Sequence, residues 1–467
     1  MLNTKLTVNG YIVKKKELSE QQINMIINDL NVVPLVDERY KILSENDIYC
    51  IYMETLKNDK YILPRYYGIE KFGIPKNIKF KLNDFDKIKI NFIGNLRDYQ
   101  IEIMDTIIQE YCNSDMTLKQ YGGSIISIPP GQGKTVLAIN LITKLNVRSL
   151  IIVHKTFLLN QWTERIQQYT DASIGIIQQD KIDVNNKQIV IAMLQSISMR
   201  DYDNELFKSF PLVIYDECHH LGAKIFCKSL IKVNAQYYLG LSATPERKDN
   251  LDKVFKYFLG DIKYRGDKSV NTNVQVDVHN FYIKDNILFK TLQNKFRKII
   301  KLPEMITNLC KIDERNILII NIIINILKKE PTRKILLLSS RCNESSVNHL
   351  KIISDKLSEY QWGYYKGGMK KIQLEQSSNK QIIIGTYNMA QEGLDIPSLD
   401  TLIMATPLVG DIIQTCGRIL RGENKNFPLI IDIVDNLIPF NNQAKKRSKY
   451  YKENGYKCNY FDENKEY

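Results

Sequence analysis

The sequence predicts an α/β protein, with two tandem parallel-sheet domains behind a small α+β N-terminal accessory domain, and three observations carry that prediction. The chain has 467 residues, more than one hydrophobic core usually serves, so two or three domains are expected. Short unbroken apolar runs alternate with longer amphipathic stretches from about residue 91 to 265, and the cycle returns from about 331 to 437. Strands buried on both faces and joined by crossover helices have that texture. One run of the first cycle leads into a glycine-containing loop and another ends in two adjacent carboxylates, at the strand ends where open α/β sheets hold ligands.

Residues 1–90 form the accessory domain. Ser19 and Gln22 have capping-box spacing, and Ile23, Ile26, Ile27 and Leu30 follow at helical intervals, which predicts a short amphipathic helix. The runs DIYCIYME (47–54) and KIKINFIG (87–94) have β-type composition, with YYGIEKFGIP (66–75) between them as Gly and Pro punctuation. In the first large domain, 91–265, the strands are expected at SIISI, RSLIIVH, QIVIAML, PLVIYDE and YYLGLSA, and helices at VLAINLITKL and FLLNQWTERIQQY. Residues 266–330 are polar, then Lys-rich, then helical, and are taken as a linker and helical segment. The second domain, 331–440, has strands at KILLLSS, QIIIGTY, DTLIMATP and PLIIDIVD, with helices near VNHLKIISDKLSEY and DIIQTCGRILR. Residues 441–467, rich in Lys, Asn and Tyr, show no periodicity and are expected to form a loosely held basic tail.

Hydrophobic residues at 44% and charged residues at 25% are globular values, which argues against a largely disordered chain. Eight scattered cysteines with no C-x-x-C pair suggest neither a zinc site nor a disulfide framework, and fit a reducing, intracellular compartment. The opening MLNTKLTVNGYIVKKK lacks the apolar stretch of a signal peptide. The most apolar run, ILIINIIINIL at 317–327, is too short and too rich in Asn to cross a bilayer; it is expected to be a buried helix, and no membrane partner is expected. A formal net charge of +13 favours a polyanionic partner.

The sharpest local pattern is SIISIPPGQGKT, residues 124–135. In the loop Pro130-Gly131-Gln132-Gly133, the two glycines let backbone N–H groups face phosphate, and the helix behind the loop adds partial positive charge at its N-terminus. Lys134 would reach the β- and γ-phosphates of ATP, and the Thr135 hydroxyl would ligate Mg²⁺. The strict G-x-x-x-x-G-K-[ST] pattern is not met, because Ile128 holds its first position. The complementary half is FPLVIYDECHH at 210–220: Asp216 is expected to hold Mg²⁺ through its water shell, and Glu217 to orient or deprotonate the water that attacks the γ-phosphate. His219 and His220 have no suitably spaced acidic or Cys partners, so a polar network suits them better than a metal.

Together with LRDYQ (96–100), IIVHKTFLLNQW (151–162), GLSATPERKD (240–249), GTYNMAQEGLDIPSLDTLIMATP (385–407) and QTCGRILR (414–421), these motifs make residues 95–437 resemble a superfamily 2 helicase of the DExH type. The resemblance implies two RecA-like domains that close on ATP and Mg²⁺. It implies that Gln100 reads the adenine edge, that Gly393 and Asp395 help bind the nucleotide, and that Gln414, Arg418 and Arg421 act on ATP from the second domain. By the same resemblance, His219 and the triplet Ser242-Ala243-Thr244 couple hydrolysis to strand contact. QW at 161–162, GLSATPERKD, YYKGGMKK (364–371) and EGLDIPSLDTLI (392–403) are similar to the XPB-like branch and to poxvirus-type transcript-release helicases. KKKELSEQQINMIINDLNVVP and LPRYYGIEKFG resemble the N-terminal regions of relatives encoded by large cytoplasmic DNA viruses.

The resemblance makes the chain an expected ATP-dependent DNA helicase or translocase, in transcript release or repair. Nucleic acid is its expected partner (DNA over RNA), with RNA polymerase as a further partner. The expected location is intracellular: host cytoplasm or virion if the source is viral. Two other readings are an RNA helicase and an ATP-gated module that docks on a polymerase without unwinding. Two departures matter. The XPB-like Arg-Glu-Asp element is here Arg247-Lys248-Asp249, which puts a wedge role in doubt, and Gln414 stands where RNA-directed DEAD-box proteins have His.

Overall fold

A computed structural model of the chain describes residues 2–33, 48–80, 88–129, 131–247, 249–266, 273–294, 299–343, 346–394, 396–408, 412–420 and 426–465. The chain forms two compact units: residues 1–128 with 133–266, and residues 267–467 with 129–132.

In the first unit, the front of the chain builds a five-stranded sheet in the order Met53–Glu54, Lys60–Leu63, Gly10–Lys14, Lys5–Thr7, Asn77–Lys79. The expected helix spans Glu20–Leu30 and is closed by a capping box: Ser19 Oγ accepts from Gln22 N at 3.2 Å, and Gln22 Oε1 accepts from Ser19 N at 3.0 Å. Two expectations are corrected. YYGIEKFGIP is no break, because Arg65–Phe72 is a helix that ends at Gly73, where φ is +80°. Its internal Gly68 is there for close approach: a Cβ would lie 2.2 Å from the Tyr11 ring, so tertiary contact outweighs the helix cost of glycine. KIKINFIG is not a named strand in its described part, where Phe92 makes one isolated bridge to Thr170. The accessory residues are not a separate globule. Leu6, Tyr11, Ile26, Leu30 and Tyr67 share one buried cluster with Ile125, Val213, Tyr238 and Phe255. Buried Arg65 pins the junction, donating to the carbonyls of Ala235 and Gln236 at 2.6 and 2.7 Å.

Behind this layer is an eight-stranded sheet in the order Lys181–Ile182, Ile174–Gln178, Ile189–Met193, Ser149–Val153, Leu212–Asp216, Tyr237–Ser242, Gly122–Ser127, Ile262–Arg265. All neighbours are parallel except the first pair. The five expected strands are present; Lys181–Ile182, Ile174–Gln178 and Ile262–Arg265 are additional, and each is short and only partly buried or exposed. Register aligns Asp216 with Leu241 and Ser242 with Ser127, so three segments expected to carry the site leave the same edge of adjacent strands.

The second unit is a seven-stranded, all-parallel sheet: Trp362–Tyr365, Ile382–Thr386, Ile335–Ser339, Thr401–Met404, Leu429–Asp435, Gln275–Ile283, Lys457–Lys465. The apolar run at 317–327 lies in the helix Asp313–Lys329, whose Ile319, Ile320, Ile322, Ile323 and Leu327 are buried. Two boundaries move. Residues 266–330 are not a plain linker, because Gln275–Ile283 is a strand in this sheet, with Val276, Val278, Phe281 and Ile283 buried at alternate or near-alternate positions. Residues 441–467 are not a loose tail either. The helix Ile438–Glu453 buries Phe440 and Tyr451 and pairs Arg447 with Asp432 through two 2.8 Å bonds. The strand Lys457–Lys465 then adds to Gln275–Ile283 in nine-residue register. It is an edge strand, largely exposed, and ladder bonds and polar cross-strand pairs such as His279–Glu463 (2.9 Å) stabilise it without an apolar pattern.

Candidate nucleotide site

The strand Gly122–Ser127 leads through residues 128–133 into the helix Lys134–Leu145. Gly131 and Gly133 have φ of +87° and +80°, a backbone that L side chains rarely adopt. At Gly133 a Cβ would sit 2.2 Å from Gln100 Nε2, which places the buried Gln100 against the loop. Gln100 is itself fixed at the start of the helix Asp98–Ile108, its Oε1 accepting from Arg97 N at 3.0 Å. Lys134 opens the loop helix and Thr135 comes next; Pro130 lies outside the described residues.

Lys134 Nζ is 3.3 Å from Glu217 Oε1. Asp216 ends its strand with Oδ1 accepting from Glu217 N at 3.0 Å and Oδ2 accepting from Trp162 Nε1 at 2.8 Å. Burial, then the charge on Glu217, push the Asp216 carboxyl up to about 6, with Trp162 and Lys134 opposing. Burial also acts to raise Glu217, but Lys134 and His219 outweigh it and hold that carboxyl well below the usual range. Glu217 occupies the left-handed region at φ 49°, ψ 53°, an uncommon conformation for a residue with a side chain.

His219 Nδ1 is 3.0 Å from Ser242 Oγ and 3.3 Å from Glu217 Oε2, and Ser242 Oγ also accepts from Thr244 N at 3.2 Å. Glu217, His219 and the Ser242-Ala243-Thr244 segment therefore form one connected cluster. His220 stacks between His219 and His154, ring centroids 4.3 and 4.1 Å away. Burial and the neighbouring imidazoles push His220 down to about 3, so it is neutral at physiological pH. Arg247 is gripped by Asp249 through two bonds of 2.9 and 2.6 Å and donates to the His219 carbonyl at 2.6 Å. Lys248 lies outside the described residues.

Of the residues expected to act from the second unit, Gly393 ends the helix Tyr387–Gly393, Gln414 lies in the helix Ile412–Cys416, and Asp395 and Arg421 fall outside the described residues. Arg418 is buried, its Nη1 donating to Leu394 O at 3.0 Å, which ties the turn after Cys416 to the segment after Gly393. Sequence reasoning missed Trp162 as a holder of Asp216. The clue was present: one of only two tryptophans, on the buried side of the helix Thr156–Tyr169, needs an acceptor for its indole N–H.

The residues fit a magnesium-bound nucleotide. The cradle at Gly133 leaves no room for a side chain, Glu217 Oε2 is buried without an aligned hydrogen bond, and the carboxylates of Asp216 and Glu217 are oxygen donors of the kind hard cations prefer.

A parallel-sheet unit whose glycine loop runs into Lys134 and whose neighbouring strand ends in Asp216 and Glu217 has the layout of a candidate nucleotide-hydrolysing site. Comparison with known proteins gives the family. Residues 93–247 match the family described as "Type III restriction enzyme, res subunit", and residues 318–423 match "Helicase conserved C-terminal domain". A protein of Acanthamoeba polyphaga mimivirus named as an ATP-dependent RNA helicase, L396, is 35% identical over 465 residues, covering 97% of this chain and 86% of the relative. A helicase-named protein of Invertebrate iridescent virus 6, 161L, is 28% identical, covering 82% of this chain and 87% of the relative. DNA 3'-5' translocase XPB2 of Sulfurisphaera tokodaii is 31% identical over 248 residues, covering 52% of each chain. The chain belongs to the superfamily 2 helicases and stands close to those of large DNA viruses. Among the described residues, no helix is long and apolar enough to cross a membrane.

Proposed function

We propose that the chain is an ATP-driven DNA translocase or helicase that works on transcription or repair templates. The observation that carries the motor reading is the cluster Lys134–Glu217–His219–Ser242, which joins the phosphate-binding lysine to the segment expected to sense the strand. In this reading Gln100 recognises the base, the loop 130–133 and Lys134 hold the phosphates, Thr135 and Asp216 hold Mg²⁺, and Glu217 orients the attacking water. A Mg²⁺ held by Thr135 and Asp216 would supply charge neutralisation at the phosphate oxygens. With Arg418 engaged by the Leu394 carbonyl, we assign it to holding the segment beyond Gly393, with Asp395 and Gln414 nearby in sequence, and give the transition-state charge to Arg421. An arginine supplied this way is worth about 10³–10⁵ in rate, so hydrolysis depends on domain closure. A nucleic acid that favours the closed state must then accelerate turnover.

DNA is favoured over RNA by the likeness to a DNA translocase over half the chain and by Gln414, while the net charge of +13 favours either polyanion. The name of the mimivirus relative favours RNA. The deciding experiment is ATP hydrolysis alone, with single-stranded DNA, with duplex DNA and with matched RNA, at low and moderate salt. Stimulation mainly by DNA supports the proposal; stimulation mainly by RNA transfers the function to RNA remodelling. Transcript release would add RNA polymerase as a partner and an intracellular site of action, the host cytoplasm or virion for a viral chain.

Asp216 gives the site a pH dependence. Its carboxyl, raised to about 6, is charged above that pH and neutral below it. Binding of magnesium-nucleotide is therefore expected to weaken as pH falls through about 6, and raising Mg²⁺ should move this acid limb lower, because cation and proton compete for the same oxygens. An acid limb that ignores Mg²⁺ concentration would assign the titration to another group.

A further inference from the structure

We propose that Tyr49, in the accessory domain, is a positioning residue for ATP hydrolysis, acting by pinning the turn that comes after the catalytic carboxylates. The inference rests on the reading of Glu217 as the group that orients water.

Glu217 is held in the left-handed region. A conformation of that kind, in a residue with a side chain, persists only where its surroundings over-determine it. The determinants lie in the short 3₁₀ turn Cys218–Gly222. At its start, His219 is engaged twice: its ring by Ser242 Oγ at 3.0 Å and its carbonyl by Arg247 Nη1 at 2.6 Å. At its far end, the Gly222 carbonyl accepts from the Tyr49 hydroxyl at 2.6 Å, in a buried contact between residues 173 apart in sequence. Gly222 also lets Arg247 lie close over the turn, since a Cβ there would meet Arg247 Nε at 2.9 Å. The turn is thus clamped from both ends, and one clamp comes from outside the parallel-sheet domain.

Tyr49 is well placed to serve as a fixed post. It belongs to a two-residue strand paired antiparallel with Asn31–Val32. Asn31–Val32 continues directly from the helix Glu20–Leu30, to which Ile51 N is also bonded through the Leu30 carbonyl at 3.0 Å. The capping box at Ser19 and Gln22 fixes the other end of this helix. The accessory fold therefore reaches the catalytic carboxylate along a continuous path: capped helix, strand pair, Tyr49, Gly222, turn, Glu217. Lys134, Gln100 and the phosphate loop are not on this path, so it should bear on turnover rather than on nucleotide affinity.

The test is Tyr49→Phe, which keeps the ring in the core and removes only the hydroxyl. The control is Tyr11→Phe, which removes another accessory-domain hydroxyl contact, to the Gly73 carbonyl at 3.0 Å, off this path. With saturating ATP and nucleic acid, Tyr49→Phe is expected to lower kcat about three- to tenfold, the range set by one net hydrogen bond. Affinity for a non-hydrolysable ATP analogue and Tm should match the control, whose kcat stays at the parent value. A parent-like kcat in Tyr49→Phe, or equal losses in both variants, overturns the proposal. Glu217→Gln measured alongside separates the two readings. If it is inactive while Tyr49→Phe is parent-like, only this inference falls; if it still turns over, the reading of Glu217 falls, and this inference with it.

Discussion

Glu217→Gln is expected to leave nucleotide binding intact and to lower kcat by about 10²–10⁴, the contribution typical of a positioned acid–base group. The substitution is nearly isosteric, so the left-handed backbone and the pinned turn stay in place. What is lost is the charge on an oxygen that is buried without an aligned hydrogen bond. The amide cannot accept a proton from water, and its NH₂ adds a donor where an acceptor is needed. Lys134 loses its carboxylate neighbour at 3.3 Å, which leaves the ammonium freer to engage phosphate, so affinity for ATP should hold or rise slightly. Binding of a fluorescent ATP analogue and single-turnover hydrolysis measure the two effects separately.

Lys134→Ala is expected to act on the other axis. Removing one partner of a buried, charge-assisted contact costs about 2–5 kcal/mol, which corresponds to roughly 30- to 4000-fold in Kd for ATP. The change also removes from Asp216 the Lys134 charge that opposes the rise of its carboxyl, so the acid limb of any residual activity should move upward in pH. Calorimetric titration with ATP reads the affinity loss directly. Retained hydrolysis in both Lys134→Ala and Glu217→Gln would mean that the cleft has been assigned to the wrong residues.

The candidate site was legible wherever the proposed chemistry demands residue types at short spacing. A glycine loop before Lys134 and Thr135, and Asp216 beside Glu217 at a strand end, stand out in the sequence because a site for phosphate and Mg²⁺ would accept few alternatives. The sheets were legible where strands are buried on both faces, as at Ser149–Val153 and Leu212–Asp216. Contacts made through single atoms of distant residues stayed hidden: the indole of Trp162 on Asp216, the hydroxyl of Tyr49 on Gly222, and the guanidinium of Arg247 on the His219 carbonyl. Each is an ordinary residue whose role exists only after folding. Gly68 misled for the opposite reason, because glycine usually signals a turn and here it makes room for Tyr11 inside a helix. The edge strand Lys457–Lys465 carries too little apolar periodicity to declare itself, since only one of its edges is paired and most of its side chains meet water.

The strand Gln275–Ile283 sits between two partners that are both made much later: Leu429–Asp435 and Lys457–Lys465, with His279 preceding its mate Glu463 by 184 residues. At a synthesis rate of about 5–20 residues per second, this strand emerges from the ribosome and waits on the order of 10–40 s before both neighbours exist. In the large sheet of the first unit, whose strands lie within residues 122–265, Gly122–Ser127 waits in the same way for Tyr237–Ser242 and Ile262–Arg265, but that sheet can be complete before the second one closes. Birth order thus gives the chain a finished ATP-binding half that precedes its partner half. During the interval Val276 and Val278 on one face of the strand, and Phe281 and Ile283 on the other, are what a chaperone would be called on to shield.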